Sequence, residues 1–207
     1  GRYAPPQMGR GLARGRWRRR HGAARVGAPA ISGPTILLRS GNYFSLQDPS
    51  ASRFEVTDIA HALSNICRFT GHTRQFYSVA EHSVLCSYLV PHEDRMIALM
   101  HDAAEAFIGD VSSPLKKLLP DYKAIERGVE EHVFSTLGLP YPFPPSVKKA
   151  DRIMLRLEQS YLMRNEDRWE GTEDGGGLPA GQYLRCCTPA VAMSAFMARF
   201  YELGGMK

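Results

Sequence analysis

From Phe54 onward, apolar residues recur at helical spacing. In "FEVTDIAHALSNICRFTGH", Ile59, Leu63, Ile66 and Phe69 form one stripe, which predicts a helix capped by Thr57 and stopped at Gly71. A second helix is predicted over 79–89, closed by Pro91, and a third over 94–107. In the third, Met96, Ile97, Leu99, Met100, Ala103, Ala104 and Phe107 cover most of the surface, which predicts a central position. Three further amphipathic helices are expected over 122–137, 147–163 and 190–203, after a turn-rich link, "IGDVSSPLKKLLP". Residues 167–181, "DRWEGTEDGGGLPAG", read as an acidic, glycine-rich surface loop. Strand signals are few, and the one short candidate is 35–39 in "TILLRSG". The pattern predicts an all-α bundle of about six helices behind a short extended piece.

Composition changes this picture at one end only. The chain has 207 residues, 43% of them hydrophobic, enough for one buried core. Its net charge of +5 would suggest a nucleic-acid binder, but residues 1–33 hold eight arginines and no acid, which leaves 18 basic against 21 acidic residues in the body. The basic character belongs to a Gly-, Pro- and Arg-rich segment that cannot offset its ordering entropy. We therefore expect 1–33 to be a loosely ordered tail and 34–207 to be a single domain. An inert tail is the first reading of that segment and a nucleic-acid arm the second. No apolar stretch has the length of a secretory h-region or a membrane span. Cys67, Cys86, Cys186 and Cys187 lack paired CxxC spacing, which predicts reduced thiols in a cytoplasmic protein.

The candidate chemistry lies where charge interrupts apolar runs. "SVAEHSVLC" sets Glu81 and His82 at the start of the second helix, and nineteen residues after His82 comes "HDAAEA". On a helix His101, Asp102 and Glu105 project from one sector of an otherwise apolar rod. Asp151 likewise interrupts the stripe of Val147, Ile153, Met154 and Leu157 in "VKKADRIML". Burying such groups unpaired costs several kcal/mol, so a solvated face, an ion-pair network or a bound metal must explain them. Two imidazoles and two carboxylates suit a divalent transition ion with open positions. Spacing alone leaves the ion-pair network standing.

The wider order of motifs resembles the HD-domain metal-dependent phosphohydrolases. More narrowly, "RFTGHTRQFYSVAEHSVL", "ALMHDAAEAFIGDVSSPLKK" and "VKKADRIML" resemble the bacterial 5'-deoxynucleotidase branch and related phage dNTP phosphohydrolases, over about residues 36–165. The resemblance implies one divalent cation (cobalt, manganese, zinc or magnesium) on His82, His101, Asp102 and Asp151. It also implies that Glu105 is the general base or water-orienting carboxylate, that Arg68 holds the phosphate, and that Asp110 lines the sugar pocket. The implied activity is phosphate release from a nucleotide, with deoxynucleoside 5'-monophosphates as first choice and dNTPs as second. No nucleophilic cysteine loop and no GxxxxGK[ST] loop competes. A non-catalytic HD module that binds nucleotide or nucleic acid is the alternative of another class, and a carboxylate at Glu105 beside an open metal position speaks against it.

Other residues receive plainer expectations. His61 is expected to be structural, and His72, in a Gly-started turn, is divided between substrate contact and structure. Glu81 is expected to cap a helix or support a ligand, and Lys116 and Lys117 to form a solvated edge. His132 is expected on the solvent-facing side of its helix, which argues against a second metal. The Met- and aromatic-rich last helix, "AVAMSAFMARFYEL", together with the resemblance, predicts a homodimer, the alternative being a helix folded back on its own bundle.

Overall fold

The computed structural model describes residues 33–165, 167–173 and 176–206. The Arg-rich segment, apart from Gly33, lies outside the described residues. The chain begins with an antiparallel hairpin, β1 (Thr35–Leu37) and β2 (Tyr43–Ser45), in which Ile36 pairs with Phe44. Its turn closes through Gly41, whose φ of +90° favours glycine. The sequence pattern shows β1 but not β2, whose buried anchor is Phe44, stacked on Phe107 at 4.0 Å between ring centroids.

The helices that follow are α1 (Val56–Asn65), α2 (Val79–Cys86), α3 (Arg95–Met100), α4 (Glu105–Ile108), α5 (Ser113–Lys116), α6 (Pro120–Thr136), α7 (Pro145–Leu162) and α8 (Pro189–Glu202). The described part of the chain is thus mostly helical, as an all-α bundle requires. No described helix is long and apolar enough to cross a membrane.

Two helices are shorter than their apolar stripes suggest, and both breaks shape the site. α1 is capped at Glu55, whose N–H donates to Asp58 Oδ2 at 2.9 Å, rather than at Thr57. It ends at Asn65 because the next residues leave the helix to pair with the strand before α2. Arg68 N–H donates to Tyr77 O, Val79 N–H donates to Ile66 O, and Cys67 bridges Ser78. This pairing sets Arg68 beside the start of α2. The predicted third helix divides at His101 into α3 and α4. Between them the N–H of Ala103 donates to Met100 O and that of Glu105 to Asp102 O, the tighter winding in which side chains three apart eclipse.

α2, rather than α3 alone, occupies the centre. It packs on α1, α3, α7 and α8, and of its eight residues Val84 alone is not buried. Ala80, Ser83 and Cys86 are small enough to let neighbours approach from several sides. The apolar face of α8, with Ala192, Phe196 and Phe200 buried, packs on α1 and α2 of the same chain. The feature that suggested a dimer is therefore used within the bundle.

Candidate metal centre

Four elements bring the site together. Ser78 caps α2 by accepting the Glu81 N–H at 3.1 Å, which places His82 at the first turn with its side chain fully buried. The α3–α4 break presents His101, Asp102 and Glu105, and α7 contributes Asp151. The Nε2 atoms of His82 and His101 are 3.3 Å apart. Asp151 Oδ1 lies 3.3 Å from His82 Nε2, and the Asp102 carboxylate lies 3.5 Å from His82 Nε2 and 3.3 Å from His101 Nε2. Donor atoms on a common ion at ~2.1 Å sit roughly 3.0–3.4 Å apart, so these separations fit one shared ion.

Hydrogen-bonding chemistry makes the same test independently. His101 Nδ1 lies 2.8 Å from the Ala98 carbonyl oxygen, an acceptor, so Nδ1 carries the proton. His82 Nδ1 lies 2.6 Å from Glu158 Oε1, another acceptor. Neutral rings held this way turn two Nε2 lone pairs toward two carboxylates, an arrangement that needs a positive charge at its centre. The charges around His82 favour its protonated form. Burial and Arg68 push that ring toward neutrality, but Cys86, Glu158 and Asp151 outweigh them and raise its pKa well above the ordinary value. Against the upward push of burial, the His82 hydrogen bond and the charges of His82, His101 and Arg68 hold Asp151 well below the usual carboxylate range. The donor set therefore fits a divalent cation.

Cys86 joins this group, which the sequence motifs do not disclose. His82, Cys86, His101 and Asp151 bring ligand atoms within 4.8 Å of one another and could hold a metal ion. The signal was its place one helical turn after His82, where Sγ lies 3.4 Å from His82 Nε2. Burial pushes the thiol up to about 11, so without an ion it is protonated at neutral pH. Glu158 is a second residue that sequence reasoning missed. It stands two helical turns after Asp151, fully buried, and takes Arg68 Nε and Nη2 on Oε2 at 3.2 and 3.0 Å. Against burial, Arg68 and His82 hold its carboxyl below the usual range.

A cavity of about 230 Å³ opens beside the cluster, lined by His101, Asp102, Glu105 and Asp151 together with Lys116, Glu126, Glu130, Phe143, Val147 and Lys148. Glu105 is buried, and its Oε2 has no hydrogen-bond partner among the described residues. Burial, with Asp102 and Asp110 nearby, pushes its carboxyl well above the ordinary range in spite of Arg68 and Lys116. Asp110 is half-buried and is likewise raised, by burial first and by Asp102.

The other expected residues divide. Arg68 is beside the cluster, with Nη1 3.6 Å from Asp102, but its Nε and Nη2 are engaged by Glu158. His72 is exposed at the end of the 68–71 turn, its N–H closing on Phe69 O. Lys116 is a correction, since it bridges Glu126 at 2.5 Å and Glu105 at 3.9 Å inside the cavity wall, while Lys117 does pair at the surface with Glu170. His132 is a second; it packs between Phe44 and Phe54 rather than facing solvent. His61 is half-buried on α1.

No protein-family model matches the chain. It is similar to the uncharacterized protein YfdR of Escherichia coli (strain K12), with 42% identity over 176 residues, 81% of this chain and 94% of that protein. It is also similar to the uncharacterized protein RCAP_rcc00048 of Rhodobacter capsulatus, with 32% identity over 184 residues, 80% of this chain and 93% of that one.

Proposed function

The chain belongs to the family of YfdR and RCAP_rcc00048, and we propose that it is a metal-dependent phosphohydrolase of the HD type that releases phosphate from nucleotides, with deoxynucleoside 5'-monophosphates as first choice. The observation that carries this reading is the meeting of two histidine Nε2 atoms and two carboxylates at 3.3–3.5 Å, beside a cavity that also holds the unpartnered Glu105 oxygen. A divalent ion on His82, His101, Asp102 and Asp151, with Cys86 at the same point, would lower the pKa of a water and polarise a phosphoryl oxygen.

The chain's own groups do the rest. Glu105 takes the proton that the attacking water loses, and a carboxyl raised by burial and neighbouring acids holds a proton better than an ordinary glutamate. Arg68 offers Nη1 to the phosphate while Glu158 fixes the rest of its fork. Lys116, held by Glu126 and Glu105, adds positive charge to the cavity lining. The preference for a monophosphate over a triphosphate chain follows the resemblance. Asp110, near enough to raise the Glu105 carboxyl, is the residue that the resemblance assigns to the sugar. The homodimer now rests on the resemblance alone, and light scattering at the monomer mass of 23.1 kDa over a wide concentration range would refute it.

A phosphate-release screen of nucleoside mono- and triphosphates, ribo and deoxy, with magnesium, manganese, cobalt and zinc tests the proposal. It expects metal-dependent release, fastest from deoxynucleoside monophosphates. No release from any nucleotide by protein shown to hold an ion would overturn it.

A further inference from the structure

Among the described residues, Glu158 is the one fully buried carboxylate that touches both a candidate metal ligand and the candidate phosphate-binding arginine. Oε1 lies 2.6 Å from His82 Nδ1, and Oε2 takes Arg68 Nε at 3.2 Å and Nη2 at 3.0 Å. A residue kept only to neutralise Arg68 would need no contact with His82. One kept only to fill α7 would not be charged, since a buried carboxylate without partners costs several kcal/mol.

We propose that Glu158 is a positioning residue that makes His82 a ligand and aims Arg68 at the same point. An ionised carboxylate acts only as an acceptor, so it requires the proton on His82 Nδ1, and the Nε2 lone pair must then face Asp102, Asp151 and His101. Its negative charge also raises the donor strength of that nitrogen, as outer carboxylates do for metal-bound imidazoles. With its second oxygen it occupies two guanidinium nitrogens and leaves Nη1 beside the Asp102 carboxylate, at 3.6 Å. Ligand and arginine are thus set by one group, which ties the place of the ion to the place of the phosphate. α7 carries both ends of the device: Asp151 faces the ion position, and Glu158, two turns on, braces the histidine from behind.

The inference rests on the proposed metal site, and its test separates the two. Full-length wild type, Glu158→Gln and Glu158→Leu are titrated with cobalt against a chromophoric chelator, with circular dichroism to verify folding. Glu158→Gln retains an acceptor without charge and should weaken cobalt binding severalfold, and Glu158→Leu by roughly ten- to a hundredfold. The same Gln change is made in an Arg68→Met background. If Glu158 serves only as the partner of Arg68, the change has no effect on cobalt affinity there, and the inference falls; if it positions His82, the loss persists. Imidazole nitrogen NMR of the zinc-loaded wild type provides a readout independent of any variant's folding: the proton belongs on His82 Nδ1 and the ion on Nε2. The reverse assignment would overturn the proposal even if both variants fail to fold. A wild type that binds no cobalt would instead overturn the metal reading itself.

Discussion

Glu81 and His82 are neighbours on α2, both buried, and their environments are opposite. The Glu81 carboxylate accepts three backbone N–H groups, from Arg185 at 2.6 Å, Cys186 at 3.0 Å and Cys187 at 2.8 Å. Cys186, at a φ of +54°, turns successive N–H groups to one side, the arrangement of an anion-binding nest. On the same side of α2, Arg199 is equally closed: it donates to Ser87 Oγ and O, pairs with Glu202 and lies over the Tyr88 ring. Each of these charges is held by several fixed partners. Around His82 the partners are other side chains, mostly acceptors, and valence is left over at both Nε2 atoms and at Glu105 Oε2. Burial alone marks both regions as unusual. Saturation separates them, since a buried charge closed by backbone is architecture, and a set of acceptors that face one another requires something the chain does not supply.

The largest expected contrast comes from the saturated side. Glu81→Ala leaves three N–H groups without an acceptor and should lower unfolding free energy by about 3 kcal/mol or more in a urea titration. The protein that remains folded should bind metal within a fewfold of wild type. A variant of wild-type stability that loses its metal would invert the comparison.

On the open side the expectation is reversed. Glu105→Ala should keep metal and nucleotide affinity within a fewfold, yet turn over roughly a hundredfold more slowly or worse, the size expected of a general acid–base group. Removing a carboxylate that burial holds above its ordinary pKa should not destabilise the fold. Joint loss of stability and metal would make Glu105 an ion-pair partner, and wild-type turnover by a metal-loaded variant would remove it from the mechanism.

The histidines and aspartates of the open side were legible because each interrupts an apolar run, and the resemblance tied them together across some seventy residues. What was not legible depended on contacts between distant segments. Glu158 lies in "RLEQS", which reads as the solvated side of an amphipathic helix until Arg68 and His82 are seen behind it. Helix boundaries failed at Ile66 and His101 for a similar reason. The apolar stripe continues through both, but pairing with the 77–79 segment takes the first out of the helix, and tighter winding through 101–104 interrupts the second. β2 escaped notice because three residues around Phe44 are too few to show a period. Lys116 was read as part of a solvated edge and His132 as lying on the solvent-facing side of its helix, and tertiary partners turned both inward.

A smaller effect sharpens the contrast through pH. The carboxylates and Cys86 raise the pKa of His82 against burial and Arg68, so protons compete with metal from a higher pH than an ordinary histidine would allow. Metal affinity should fall as pH falls through that pKa, by about tenfold per unit for one displaced proton. Chelator competition across pH measures it. A flat profile would mean that His82 is not a ligand.

The most direct measurement is metal content per chain, in wild type and Asp102→Ala purified without chelator and dialysed side by side against cobalt or zinc. The account predicts one ion per wild-type chain and a large loss in the variant, with both proteins folded. Equal metal content in the two would contradict it.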